Sequence, residues 1–209
     1  MIEILPGFLP VFLAGLVVNL EIAAASLAIG LAAGLPLALA LGGRRLAAVP
    51  AGQVVGLMRA APSFVVMFFL LNILPREMEI AGHAVQTGLL AVILANAAYA
   101  VAYIADNGLV ALRALRAGDV AAAVLFLPNV TRAFFVLTLA SSMAAAVGTP
   151  EAIFVTLRQA ERLPALGDQV MLFVFVMLFF GAVLQTVFAL INAVRAAILH
   201  RLARRPAAA

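Results

Sequence analysis

Lysine, cysteine and tryptophan are absent from this 209-residue chain, and charge of either sign is scarce. Without lysine there is no P-loop of the G-x-x-x-x-G-K-[ST] form, because that lysine must reach the terminal phosphates of a nucleotide. A lysine Schiff base is excluded for the same reason. Without cysteine there is no disulfide framework, thiol nucleophile or thiolate metal site. The two histidines, His83 and His200, are far apart and stand in no ligand spacing. They read as interfacial or solvated residues. The chain is therefore not expected to be an enzyme, and it shows no residue set for a metal or cofactor of its own.

What it has instead is hydrophobic surface. Hydrophobic residues make up 67% and charged residues 11%, against about 45–50% and about 25% in an average soluble domain. Mean hydropathy is +1.20. These values exclude a soluble globular domain, a disordered chain and a nucleic-acid-binding domain. The isoelectric point near 11.0 reflects 13 basic residues, all arginine, against 9 acidic ones. The arginines are spread along the chain rather than gathered in one patch of the kind nucleic acid requires.

About 20 mostly apolar residues cross the hydrocarbon core as a helix. Five such segments are predicted, at about 10–42, 53–74, 84–105, 127–147 and 169–194. Helices are the default here because backbone groups in lipid must pair within their own segment. The fold class is thus all-α, a multi-pass membrane bundle of five transmembrane helices. It forms one domain over 1–200, with a cytoplasmic tail at 201–209. Met-Ile-Glu at the start, with no arginine before Arg44, does not read as a cleaved signal peptide.

Arginine placement orients the bundle. With the N-terminus outside, the inner side holds Arg44, Arg45, Arg59, Arg113, Arg116, Arg195, Arg201, Arg204 and Arg205. The outer side holds only Arg76, Arg158 and Arg162. This satisfies the positive-inside rule, so the C-terminus is placed in the cytoplasm. Gly30-x-x-x-Gly34 and Gly52-x-x-x-Gly56 have the spacing that lets helices approach closely in lipid. Packing within the subunit is the expectation for both.

Polar residues inside apolar spans are costly and face a partner or a cavity. Asn96, Tyr99 and Tyr103 share one face of the third segment, and Asp106 continues the stripe. The stripe either lines a pathway or hydrogen-bonds between helices. Asn19 and Glu21 are two residues apart and so point in different directions. Glu21 is either a solvated carboxylate at the outer rim or a substrate-contacting or ion-pairing group. Arg132 lies near the inner end of the fourth segment, within snorkelling reach of the interface. Arg59 precedes Pro62, which is expected to kink the second segment.

Five stretches, in order, resemble the permease subunit of polar amino-acid ABC importers of the histidine/glutamine/glutamate type. Gly15 to Gly30, with Asn19, Leu20 and Ser26, resembles the family's G-x-x-x-T-L-x-x-x-x-x-S-x-x-x-G opening. Leu57-Met58-Arg59-Ala60-Ala61-Pro62 resembles F-R-G-T-P. Ala102-Tyr103-Ile104-Ala105-Asp106 resembles A-Y-x-A-E. Gly118-Asp119 and Ala121-Ala122-Ala123 fall on G-Q and E-A-A. Leu127-Pro128 and Ser141-Ser142-Met143 through Pro150-Glu151 resemble L-P and K-D-T-S-L-V-S-V-I-G-V-P-E.

The resemblance implies a type I importer fold in the bacterial inner membrane, working by alternating access. It implies a second permease subunit, ABC ATPase subunits that carry the ATP, an extracytoplasmic solute-binding protein and a surrounding lipid bilayer. A substrate pathway is expected near Asn19, Glu21, Asn96, Tyr99, Tyr103 and Asp106 from their polarity within apolar spans, and near Ser141 and Ser142 from the resemblance, which also puts Arg59 and Pro62 at the inner gate. Gly118, Asp119, Ala121, Ala122 and Ala123 would be a degenerate remnant of the ATPase-coupling loop. Ala121 replaces the family's glutamate and about 20 residues of the coupling segment are missing. A second alignment lets Val130-Thr131-Arg132 stand for the coupling helix. Leu139-Ala140 replaces the family's Lys-Asp pair. A heterodimer in which the other subunit carries the ATPase contact fits these losses. A permease-derived scaffold or regulatory subunit without its own pathway fits them as well.

Overall fold

A computed structural model describes residues 5–75, 77–80 and 83–203. Arg76, Arg204 and Arg205, which enter the arginine asymmetry, lie outside the described residues. The first helix, α1 (Leu5–Leu41), is followed by α2 (Arg45–Ala60) and α3 (Ser63–Ile73). A hairpin of β1 (Glu77–Ile80) and β2 (His83–Gln86) leads into α4 (Thr87–Arg116). Then come α5 (Val120–Val124), α6 (Phe126–Ala140), a 3-10 turn (Ser141–Val147), α7 (Ala152–Ala160) and α8 (Leu166–Ala203). Four helical stretches are long and apolar enough to cross a membrane, and the α2–α3 pair makes five if it counts as one broken span.

Helix α1 shows how such a bundle packs. Its 37 residues reach about 55 Å, well beyond the roughly 30 Å hydrocarbon core. Its buried side is Phe8, Phe12, Gly15, Asn19, Ile22, Ala23, Ser26, Gly30, Gly34 and Ala38. Apart from Ala23 beside Ile22, successive members stand three or four residues apart, so these lie in one stripe. Most of them are small or polar, whereas Val11, Val17, Ile29, Leu35 and Leu39 are exposed. Lipid is as apolar as leucine, so nothing drives large apolar side chains inward. Small residues that permit close contact take the interface instead.

The partner of that stripe is α4, which runs parallel to α1. A Cβ added at Gly30 would lie 2.6 Å from Ala100 Cβ, and one at Gly34 would lie 2.8 Å from Ile104 Cβ. A Cβ added at Gly108 would lie 3.0 Å from Ala38 Cβ. The Gly30-x-x-x-Gly34 motif thus packs within the subunit, as expected. Gly52 and Gly56 do not form such a seam: Gly56 has no atom within 4 Å of an added Cβ. Ser26 Oγ lies 2.8 Å from its own-helix Ile22 carbonyl and 3.1 Å from the Ile93 carbonyl of α4. It has one proton to share between them.

Parallel helices need a return crossing, and the second segment supplies it in two pieces rather than as one helix over 53–74. Helices α2 and α3 meet at 95°. Ala61 and Pro62 are both extended, with ψ of 117° each. Proline disfavours helix for the residue before it and cannot donate to the preceding turn. Met67 of α3 is buried against Ile22 of α1 and Val92 of α4. The Thr87 hydroxyl, at the start of α4, donates to the Pro75 carbonyl beyond α3 at 2.7 Å.

The fourth segment also departs from a single helix over 127–147. Helix α6 ends at Ala140 and the backbone tightens to 3-10 through Val147. Gly148, at φ +78°, then reverses the chain. The polar stretch 148–168 contains α7, whose N-terminus sits directly on α1. A Cβ added at Gly15 would meet the Ala152 nitrogen at 2.7 Å.

That contact is sealed by a buried polar cluster. Asn19 Oδ1 accepts the Ala152 N–H at 3.0 Å. Glu151 accepts the next two, from Ile153 at 2.9 Å and Phe154 at 2.7 Å. Three N–H groups that a helix start leaves orphaned are thereby satisfied. Asn19 Nδ2 donates to Glu151 Oε2 at 2.9 Å and to Ser141 Oγ at 2.8 Å. Ser141 passes its proton to the Thr138 carbonyl at 2.6 Å. Burial raises the Glu151 carboxyl above the usual range, against the lowering effect of the Ile153 N–H, the Asn19 amide and the Phe154 N–H.

Two predictions follow from this packing. Gly30→Leu should cost about 1–3 kcal/mol by overpacking, seen as a lower Tm in detergent, while Gly56→Ala should leave Tm unchanged. Glu151→Ala should cost roughly 1–3 kcal/mol, because it orphans buried donors. The raised carboxyl binds its proton more tightly folded than unfolded. Wild-type stability should therefore fall as pH rises from the ordinary carboxyl value through the raised one. A Glu151→Gln variant should flatten that part of a Tm-versus-pH profile.

Candidate functional site

Helix α4 carries the polar stripe at the heart of the bundle. Asn96 is 1% exposed, and its Nδ2 is buried with no hydrogen-bond partner. Such orphans are rare in native proteins. One and two turns on, the rings of Tyr99 and Tyr103 lie 5.8 Å apart and tilted by 32°, both half-buried. Asp106 closes the stripe. Its two carboxylate oxygens accept from Arg59 Nη2 at 2.7 and 2.6 Å. The structure therefore joins two separate sequence features, the Arg59–Pro62 stretch and the Tyr103–Asp106 stretch.

The placement of Arg59 follows from the break at Pro62. Ending α2 there sets Arg59 in its last turn, where Val55 packs against Ala102 and Ala105 of α4. The pair is 60% and 44% exposed, so its net contribution to stability is small, about 0–1 kcal/mol. Beside it, Asn129 Nδ2 of α6 donates to Asn107 Oδ1 at 2.8 Å, and Asn107 Nδ2 donates to the Tyr103 carbonyl at 2.9 Å. Arg132, one turn further along α6, is exposed.

The remaining predicted site residues separate. Asn19 and Ser141 are fully buried in the cluster with Glu151. Glu21 points away from them and is exposed. Ser142 lies at the edge of a cavity of about 510 Å³ between Leu139 on one wall and Phe173, Met177 and Phe180 of α8 on the other.

At the opposite end of the bundle, Gly118 takes φ +78° and ends α4. Asp119 caps the next helix, its Oδ1 accepting the Ala122 N–H at 2.9 Å. Ala121, Ala122 and Ala123 form the middle of the five-residue α5, with Ala121 exposed and Ala123 buried. Between α4 and α6 there is no longer helix. Val130-Thr131-Arg132 lies inside the continuous α6.

Sequence reasoning missed Glu151 as a site residue and the Asn107–Asn129 bridge. Glu151 stood in view as an acidic residue directly before the apolar run Ala152 to Val155, which is a helix-start signal. Asn107 falls just off the stripe, and nothing local in the sequence pairs it with Asn129. Among the described residues no group of three or more His, Asp or Glu could hold a metal ion.

No protein-family model matches the sequence, and no curated protein matches it. A solved structure described as an amino acid ABC transporter with histidines is similar in fold. Identity is 17%, the TM-score is 0.58, and the match covers 97% of this chain and 97% of that chain. At that identity the shared feature is the fold: this chain is a multi-pass helical membrane protein folded like a chain of that transporter.

Proposed function

We propose that this chain is the membrane subunit of an ABC importer that carries amino acids or similar small polar solutes across the bacterial inner membrane. The likeness over the full length of an amino acid ABC transporter chain carries this reading. In it, the chain pairs with a second permease subunit around a shared pathway. Separate ATPase subunits bind and hydrolyse ATP, and an extracytoplasmic binding protein delivers the solute. The chain switches between outward-open and inward-open states and catalyses no reaction itself.

The arrangement of charge supports an N-terminus outside and a C-terminus in the cytoplasm. Arg44, Arg45, Arg59, Arg113 and Arg116 lie toward the end where α1 finishes, and Arg116 Nη1 donates to the Gly42 carbonyl at 2.6 Å. Arg158 and Arg162 lie at the end where α1 begins. That bias is the one expected of a cytoplasmic face. The five-residue α5 leaves little for an ATPase to grip, which supports a heterodimer whose other subunit carries most of that contact.

In this reading the α4 stripe faces the solute. The unpartnered Asn96 amide is a donor for a solute carboxylate or carbonyl. Tyr99 and Tyr103 provide a half-buried aromatic wall with two hydroxyls. The Arg59–Asp106 pair, which ties α2 to α4, is a contact that opening the inner side would break. Glu21 sits on the exposed side of α1, where a second subunit or the pathway would meet it. Asn19 and Ser141, sealed in the cluster with Glu151, brace α7 against α1 behind the pathway.

Purification from native membranes should bring down a P-loop ATPase and a second permease. Recovery of the chain alone, or as a homodimer with full solute-stimulated ATPase activity, would overturn the heterodimer. In the assembly, Asp106→Asn and Tyr103→Phe should each lower solute-stimulated ATPase by roughly fivefold or more, the scale of about 1 kcal/mol of coupling. Unchanged activity in both would remove the stripe from the pathway. Asn96→Leu separates binding from folding. Removing an orphaned donor should leave Tm equal or higher, while the solute concentration for half-maximal ATPase rises. A fall in Tm with unchanged solute dependence would make Asn96 structural.

A further inference from the structure

A second cleft, away from the α4 stripe, lies where the start of α1 meets α7. Its volume is about 170 Å³, and it is lined by Gly7, Phe8, Val11, Phe154, Val155, Arg158, Gln159 and Arg162. The lining divides by chemistry. Phe8, Val11, Phe154 and Val155 make an apolar floor. Arg158, Gln159 and Arg162 form a polar rim on one side. Arg158 is oriented by two neighbours: its guanidinium lies 5.3 Å over the Phe154 ring and 3.3 Å from Glu161 Oε2. Arg162 is exposed, in the turn that follows α7.

The position is as informative as the lining. Exposed apolar side chains on the bundle begin at this level, with Val11 54% exposed on α1 and Leu166 74% exposed on α8. They continue away from the cleft through Val17 on α1 and Val170, Met171 and Val174 on α8. On the other side lie Glu161 and Arg162, both polar and exposed. The cleft therefore sits at the edge of the apolar belt, the depth of phospholipid headgroups. A ligand there meets two guanidiniums and an amide above and an apolar surface below.

We propose that this cleft binds the headgroup of an anionic phospholipid. Arg158 and Arg162 hold the phosphate, Gln159 donates to the glycerol or phosphate oxygens, and the first methylenes of the acyl chains lie on Val11 and Phe8. Guanidinium is the side chain suited to this task, because its fixed fork donates two parallel hydrogen bonds to a phosphate. The apolar floor favours an amphiphile over a free anion or an acidic side chain from another protein. The assignment requires only that the chain spans a membrane, so it is independent of which solute is carried.

The test is native mass spectrometry of the purified assembly exchanged into micelles doped with phosphatidylglycerol or with phosphatidylcholine. Two variants probe the two halves of the cleft. Arg158→Gln/Arg162→Gln removes the charge. Gly7→Leu fills the space without changing charge, and a Cβ there meets no atom within 4 Å, so the fold has room for it. Wild type should retain phosphatidylglycerol over phosphatidylcholine. Both variants should lower that retention, the double arginine variant by roughly tenfold or more given the usual strength of basic side chains at an anionic surface. Equal retention of the two lipids, or loss on arginine removal with none on filling, would overturn the site. So would a cross-link placing an acidic partner protein on Arg162→Cys while no phosphatidylglycerol is retained.

Discussion

Close approach of backbones is the constraint on which this fold depends. Inside a bilayer, apolar side chains gain nothing by leaving lipid, so helices associate through contact surfaces that small residues make available. Gly30 and Gly34 let α1 lie against Ala100 and Ile104. Gly15 does the same for the start of α7. The buried polar cluster is a consequence, because Asn19 reaches the Ala152 N–H only when the helix start is already seated on Gly15. Hydrogen bonding then rewards the contact, and buried donors left unpaired would penalise any slip.

The same logic separates the polar residues into two kinds. Asn19, Ser141, Glu151 and Thr138 satisfy one another inside the bundle and join α1, α6 and α7. On α4 the satisfaction is incomplete. Asn96 Nδ2 is left without a partner, and Tyr99, Tyr103 and Asp106 are only half-buried. Groups of this kind are costly against lipid, which is why their surface calls for a solute, a second subunit or water. The Arg59–Asp106 pair stands at the boundary of the two, an exposed ion pair holding the broken second span to α4.

Much of this was legible in the sequence, for physical reasons that act locally. Long apolar runs marked the crossing segments, because lipid thickness fixes their length. Gly30 and Gly34 carried their meaning in spacing alone, and the break at Pro62 in the chemistry of proline. The order of motifs from Gly15 to Glu151 pointed to the fold later found in the solved transporter chain. The second glycine motif misled, because Gly52-x-x-x-Gly56 has the same spacing but lies on a short helix where no partner reaches Gly56.

By itself the sequence determined that the chain is a membrane helix bundle and that it carries no P-loop. These follow from composition, segment length and missing residue types. Only the tertiary structure decided which polar atoms meet. It set the 95° turn between α2 and α3 and brought Arg59 onto Asp106 across 47 positions of sequence. It seated α7 on Gly15, closed Asn19 onto Glu151 across 132 positions, and left the Asn96 amide alone. Hydrogen bonds act over about 3 Å, so pairing between distant segments is settled by packing, not by pattern along the chain.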